Sequence, residues 1–192
     1  MEDPNEIGQD YIRPLLPQML NTFAHITWPI IGQAIVSDKQ KEWRLQMTLG
    51  DSFAFDNVKK PKIVHLPEDM LFAWCHAHPD VAPAFVAGIA SILTHRDREG
   101  PPPELDPLTR RLLDEFGDNE DVLSALVSNM HSFGWSGSRT GYYKLYEQPL
   151  KSLEKHPIGA VRRWAKKMLV SMQRQFEAAL DEDEELKASW GE

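Results

Sequence analysis

Short polar breaks recur along this chain at a nearly constant spacing. They stand at Asp38, His78, Asp118 and His156, so that successive breaks are 40, 40 and 38 residues apart. An apolar anchor follows each break three to five residues later, and these anchors are Trp43, Val81, Val122 and Val161. A recurrence of about 40 residues indicates repeating units of two helices, in which neighbouring units bury one continuous core.

The segments between these breaks carry apolar residues at helical spacing. In residues 11–23 the apolar side chains recur at intervals of three and four, which places them on one face of a helix. They are Ile12, Leu15, Leu16, Met19, Leu20 and Phe23. Asp38 is a suitable cap for the helix that follows it, and Gly50 is a suitable end. The sequence therefore predicts an all-α fold of stacked antiparallel helix pairs.

Prolines predict where this pattern becomes irregular. Thr27 and Pro29 are expected to start the second helix, because proline suits a first helical turn. Pro83 is expected in the first turn of its helix for the same reason. Pro149 is expected to kink or divide a helix over residues 138–155, since it removes one helical hydrogen bond. Residues 51–66 are expected to form a loop in which Ile63 to Leu66 is a short extended piece.

The length of 192 residues fits a single domain. We expect one helical-repeat domain over residues 1–180, with a possible division near the proline-rich linker at 96–107. Residues 181–192 are expected to form an acidic tail that resembles a frayed helix end. The chain would then need no metal or disulfide to hold its core, because a domain of this size buries most of its unfolded surface.

Composition and charge exclude several classes of protein. The formal net charge of −8 opposes bulk attraction to nucleic acid or anionic lipid. Cys75 is the only cysteine, which excludes an internal disulfide and suits a reducing compartment. Residues 1–6 are acidic and polar, unlike a secretory signal, and no apolar run approaches the roughly 20 residues of a membrane span. We therefore expect a cytoplasmic protein without membrane association and without a cofactor.

The most distinctive local motif is His156-Pro157-Ile158-Gly159-Ala160-Val161-Arg162-Arg163-Trp164-Ala165. With its proline-bearing turn, valine-arginine pair and small residue, it resembles the second helix of a HEAT repeat, over roughly residues 118–175. Together with residues 131–138, it also resembles the carboxy-terminal helical regions of large bacterial proteins with phage-defence or signalling NTPase modules. The resemblance implies an irregular α-solenoid of HEAT or armadillo type that binds other molecules.

Charge is segregated in the last quarter of the chain. Residues 139–174 contain nine basic and two acidic side chains, whereas residues 175–192 contain seven acidic and one basic. Basic residues at a spacing of four line helical stripes beside the apolar face that carries Trp164. The candidate binding residues are Arg139, Lys144, Arg162, Arg163, Lys166 and Lys167. An ordinary solvated surface is the alternative interpretation of these residues. If they bind a partner, an acidic protein is favoured over nucleic acid, and the acidic tail is expected to shield this basic face in the free protein.

Two motifs suggest chemistry but lack the required surroundings. Cys75, His76 and His78 are metal-capable, but helix positions one and two apart face different directions, so we expect Cys75 to pack in the core. Trp135 to Ser138 resembles the turn of a serine hydrolase, with Ser136 as nucleophile, His131 or His156 as base and Asp118 as acid. The third glycine of that motif is replaced by Ser138, and a helix is predicted where a strand is needed.

The favoured hypothesis is a non-enzymatic protein-protein interaction module within a bacterial multi-domain or multi-subunit assembly for antiviral defence or signalling. The alternatives are a hydrolase centred on residues 135–138 and a stand-alone immunity or antitoxin-like inhibitor.

Overall fold

A computed structural model of the chain describes residues 15–50, 62–94, 102–131 and 138–190. Over these residues the regular secondary structure is helical, apart from one isolated antiparallel bridge between Leu93 and Leu105. The prediction of an all-α fold is confirmed. Within the same ranges, no helix is both long enough and apolar enough to cross a bilayer.

The helices follow one another without intervening strands, and two short 3-10 helices cover Lys62–His65 and Leu153–Lys155. The α-helices are α1 Leu16–Thr22, α2 Ala24–Ser37, α3 Lys39–Leu49, α4 Glu68–Ala77, α5 Ala82–Ile89, α6 Pro107–Phe116, α7 Glu120–His131, α8 Thr140–Leu145, α9 Glu147–Ser152 and α10 Gly159–Trp190. All four predicted breaks lie between helices, so the recurrence at about 40 residues does mark helix boundaries.

Local capping explains several of these boundaries. The Asp38 carboxylate accepts hydrogen bonds from the backbone N–H groups of Gln40 and Lys41, at 2.9 and 3.3 Å. Asp106 accepts one from the N–H of Leu108 at 2.9 Å and so starts α6. Each carboxylate satisfies N–H groups that have no partner inside the helix.

The prediction that the second helix starts at Thr27 and Pro29 was wrong. Backbone hydrogen bonds from Ile26 and Thr27 to the carbonyl of Phe23 start α2 at Ala24, and Pro29 lies inside it. The hydrogen bond that Pro29 cannot donate would have ended on the carbonyl of His25. His25 is exposed, so water can satisfy that carbonyl and the helix tolerates the proline.

Three further expectations need correction. Ile63 to His65 belongs to a 3-10 helix and not to an extended piece, because the turn buries Ile63 completely. Trp43 is not a core anchor, since 63% of it is exposed. Residues 181–190 are not a frayed tail but continue α10 as regular helix. The helix predicted over residues 138–155 is divided, as expected from Pro149. It is split into α8 and α9 at Tyr146, three residues before the proline.

Buried side chains from both sides of the 96–107 linker belong to one hydrophobic cluster. Helix α3 packs on α5, α5 packs on α7, and α8 and α9 pack on α10. Polar contacts also cross the linker, as the hydroxyl of Thr109 donates to the carbonyl of Ser91 at 2.7 Å. At Gly117 the end of α6 approaches α10 so closely that an added Cβ would lie 2.4 Å from a methyl carbon of Val161. Glycine is required there for this approach.

Candidate binding groove and basic stripe

The six basic residues predicted to bind a partner lie in three places. Arg162, Arg163, Lys166 and Lys167 are exposed on the first turns of α10. Lys144 extends from α8 over the ring of Phe176, and Arg139 precedes α8 and contacts the other end of α10. The structure therefore separates residues that the sequence places in one charged segment.

Arg139 stabilises the packing of the start of α8 on the end of α10. Its guanidinium forms an ion pair with Glu182, which raises its pKa, and the neighbouring Ser138 hydroxyl donates to Asp183. Because its guanidinium is held by Glu182, Arg139 is poorly placed to bind a partner.

Arg162 has a structural contact at the turn before α10. Its Nη1 donates to the carbonyl oxygens of His156 and Pro157, at 2.6 and 2.7 Å. His156 holds the same turn, because its Nδ1 accepts from the N–H of Ile158 and its Nε2 lies 2.9 Å from Asp114. In the neutral imidazole, Nε2 must then carry the proton that bonds Asp114. The turn that starts α10 is thus fixed by its own side chains.

Helices α8 and α9 run antiparallel to α10 and leave a groove of about 510 Å³ beside it. The antiparallel direction follows from two contacts, Arg139 with Glu182 and Lys144 with Phe176. The apolar lining of the groove consists of Tyr143, Leu169, Val170, Met172 and Phe176. Val170 is 53% exposed, so an apolar side chain of a partner would find an apolar surface already facing solvent.

Charged side chains alternate in sign along the wall that α8, α9 and the following 3-10 helix contribute. In order they are Lys144, Glu147, Lys151 and Glu154. Lys144 Nζ lies 4.8 Å from the centre of the Phe176 ring, a cation–π distance. Lys151 forms an ion pair with Glu147 and lowers the pKa of that carboxyl, so the carboxyl stays charged at neutral pH. Arg174 lines the groove from α10.

The basic residues at the start of α10 continue into this groove. Val170 is four residues after Lys166 and three after Lys167, and Arg174 is four residues after Val170. These intervals place the four side chains on one helix face. We call Arg163, Lys166, Lys167 and Arg174 the basic stripe; none of them forms an ion pair with a described residue. The groove and the stripe are therefore one continuous surface, and the cations of the stripe have no acidic partner among the residues that the structure describes.

The acidic end of α10 lies too far from Lys166 and Lys167, the central cations of the stripe, to shield them. Glu182 follows Lys167 by 15 residues in one unbroken helix, which corresponds to about 22 Å along its axis. That distance exceeds the screening length of about 8 Å at physiological salt. The predicted shielding by the tail is reduced to the contacts that Glu182 and Asp183 make at the start of α8.

The residues of the hydrolase hypothesis are only partly described. Residues 132–137, which include the predicted nucleophile Ser136, lie outside the described residues. Both ring nitrogens of His156 are already engaged by Ile158 and Asp114, and so are not available to accept a proton from a serine hydroxyl. His131 ends α7 and is exposed.

The prediction that Cys75 packs in the core is confirmed. The thiol is fully buried, and desolvation together with the charge of Glu115 raises its pKa to about 12. His76 instead turns outward and its Nε2 lies 2.7 Å from Glu115. Within the described ranges, no group of three His, Cys, Asp or Glu side chains is arranged to hold a metal ion.

No family model, no curated protein and no solved structure matches this chain. The resemblance to HEAT repeats and to bacterial defence proteins accordingly stays a prediction. The sequence reasoning also missed Lys151 and the aromatic residues of the groove, Tyr143 and Phe176. Apolar residues recur at intervals of three and four from Leu169 to Phe176 and form a row beside the basic residues. This spacing was the signal from which the apolar side of the groove could have been predicted.

Proposed function

We propose that this protein is a non-enzymatic interaction module that binds an acidic, amphipathic helix of a partner protein. The partner helix would place its apolar side chains in the groove and its carboxylates against the basic stripe. The observation that carries the proposal is the continuity of the exposed Val170 with Lys166, Lys167 and Arg174 on one face of α10. A groove between two antiparallel helices is a common receptor for a third helix.

A helical repeat within a bacterial defence or signalling assembly remains our favoured setting. The helical-repeat part of this proposal is supported by the packing order, in which α3, α5 and α7, the helices that follow the breaks at Asp38, His78 and Asp118, stack on one another. Stacking of successive pairs is what a HEAT-like array requires. Such arrays function mainly as binding surfaces, which agrees with the proposed groove.

The charge pattern favours a protein partner over nucleic acid. Glu147 and Glu154 line the groove and would repel phosphates that followed it. The chain as a whole carries a formal charge of −8, which opposes approach of a uniform polyanion. A partner helix combines apolar and acidic side chains, and can place its carboxylates on the stripe while avoiding the glutamates.

The test uses two labelled peptides of about 15 residues, four helical turns. Both carry leucines at positions i, i+3, i+4 and i+7; one has glutamates on its remaining faces and the other has lysines. Fluorescence anisotropy measures their affinity for the protein at low and high salt. The proposal predicts that the glutamate peptide binds more tightly than the lysine peptide, and that salt weakens its binding.

Two pairs of variants locate the binding. Lys166→Glu with Lys167→Glu should weaken the glutamate peptide about tenfold or more, whereas Arg44→Glu with Arg110→Glu makes the same charge change elsewhere and should have little effect. Val170→Ser should weaken it as well, and Leu186→Ser, an equally exposed site on α10, should not. If both double variants weaken binding equally, the attraction is only global charge and the proposed site is wrong.

A further inference from the structure

Helices α1 and α2 expose a row of large apolar side chains far from the groove in sequence. Its members are Leu15, Met19, Phe23, Ile26 and Ile30, which are between 39% and 69% exposed. Their spacing of four, four, three and four is that of one helix face. Helical hydrogen bonds from Phe23 to Met19 and from Thr27 to Phe23 continue this spacing across the junction of α1 and α2. We call this row the apolar stripe.

The apolar stripe runs directly beside the row that these helices bury. Leu16, Leu20, Ala24, Thr27 and Ile35 are buried, and most of them are the immediate neighbours of stripe residues. A helix that is apolar on both sides is normally covered on both sides. The described part of the chain thus buries only one of the two apolar sides of α1 and α2.

The helices that carry the stripe contain no charged side chain. Residues 15–37 include no Asp, Glu, Lys or Arg, although these types make up 26% of the chain. Val64, on the 3-10 helix that packs against α1, adds another half-exposed apolar side chain. An acidic partner would therefore find no lysine or arginine on α1 or α2 to pair with, and the groove-binding helix proposed above does not suit this face.

We propose that the apolar stripe is covered by the same stripe of a second copy of this chain. In a two-fold dimer the same surface patch of both copies is in contact. A patch with a net charge therefore makes the two copies repel each other, whereas an uncharged patch does not. The rest of the chain carries a net charge of −8, which makes this uncharged face the best suited to self-association. This inference is independent of the proposed groove function.

The area of the stripe is sufficient for a weak dimer. Five half-exposed large side chains offer on the order of 400 Å² on each copy. With neighbouring atoms included, a two-fold interface would bury about 1,000 Å², the lower limit for a specific contact. We therefore expect dimers that dissociate at micromolar concentrations.

The first experiment is sedimentation equilibrium of the full chain over about 5 to 500 µM, the range in which a small interface is partly occupied. The average mass should rise from that of one chain toward that of two. Ile26→Glu with Ile30→Glu should stay monomeric, because four carboxylates would then meet at the interface. A mass that stays at one chain throughout for the unsubstituted protein would overturn the proposal.

A second variant pair guards against loss of folding. Ile26→Lys with Ile30→Lys should also be monomeric alone, but an equimolar mixture of the Glu and Lys variants should form mixed dimers at low salt. Such recovery requires that the two stripes face each other, and its absence contradicts the proposal. Val170→Glu with Leu186→Glu changes the charge equally on α10 and should still dimerise.

Two remaining outcomes also overturn the proposal. If the α10 variant abolishes the dimer, the groove and not the stripe is the interface. The chain could also stay monomeric but bind neutral phosphatidylcholine vesicles. If Ile26→Glu with Ile30→Glu abolishes this vesicle binding, the stripe is a lipid-binding surface and not a dimer interface.

Discussion

The side-chain amide of Asn129, on α7, donates a hydrogen bond of 2.7 Å to the carbonyl of Ala90, the residue that directly follows α5. The same amide donates to the carbonyl of Ala87 at 2.9 Å. Asn129 is only 4% exposed. Carbonyls in the last turn of a helix have no hydrogen-bond donor within that helix. The Asn129 side chain on α7 provides this donor for the carbonyls at the end of α5.

Replacement of Asn129 by leucine should therefore destabilise the fold by about 2–4 kcal/mol, because it leaves buried carbonyls without a donor. Urea denaturation monitored by circular dichroism measures this change. Ser128→Leu introduces the same side chain at the exposed neighbouring position and should change the stability by no more than about 0.5 kcal/mol. Equal losses for both variants would show that the amide contacts do not matter.

Two tryptophans offer a matched test of the core. Trp164 is 7% exposed and lies on the buried face of α10 with Val161 and Met168. Trp164→Ala should cost about 3–5 kcal/mol, as large aromatic truncations in cores do. Trp43→Ala removes the same atoms from an exposed site and should cost less than about 1 kcal/mol. The two free energies of unfolding, measured in urea, should differ by several-fold, and the reverse order would require α10 to be rotated.

Glu115 should make the stability depend on pH. Desolvation alone would raise the pKa of its carboxyl, but hydrogen bonds from Arg111 and His76, each 2.7 Å long, outweigh it and lower that pKa below the ordinary value of 4.5. A lowered folded-state pKa stabilises the fold above pH 4.5 and ceases to do so as the pH falls through the folded value.

Glu115→Gln should accordingly be less stable than the unsubstituted chain at pH 7, and the difference should shrink as the pH falls below about 4. Thermal unfolding at a series of pH values measures it. Glu184→Gln, at an exposed position on α10, serves as the control and should show no such trend. A difference that is constant with pH would mean that the charge of Glu115 contributes nothing.

Truncation after Leu180 tests whether the acidic end of α10 regulates the groove. It removes the ion pair of Glu182 with Arg139, a solvent-exposed contact that contributes little to stability. Because Lys167 lies about 22 Å from Glu182 along α10, the truncated protein should bind the glutamate peptide with an affinity within about twofold of the full chain. Markedly tighter binding after truncation would restore the shielding hypothesis.

Features fixed by neighbouring residues were predicted correctly from the sequence. Asp38 caps its helix because a carboxylate two residues before a backbone N–H is a local arrangement. Pro149 interrupts its helix for an equally local reason. The predictions for Pro29 and Trp43 failed because both depend on solvent exposure, which the local sequence does not set. Pro29 is tolerated inside α2 because water can reach the carbonyl that it leaves unbonded. Trp43 is exposed and so does not serve as a core anchor.

The groove could not be predicted because it depends on the register of α8 and α9 against α10. Lys144 and Phe176 are 32 residues apart, and their contact is set by packing and not by any local pattern. Grouping basic residues by sequence likewise joined Arg139 to Lys167, although Arg139 pairs with Glu182 at the opposite end of α10. Helical spacing identifies a face, but only the packing of helices shows which faces meet.

The location of peptide binding is the most direct test of the proposed interaction module. Backbone amide shifts of the isotopically labelled chain would be recorded by two-dimensional NMR during titration with the glutamate peptide. The account predicts that the shifts change along residues 143–154 and 163–176, which form the groove and the stripe, and stay unchanged in α1 and α2. Shift changes centred elsewhere, or no changes at peptide concentrations that saturate anisotropy, would contradict it.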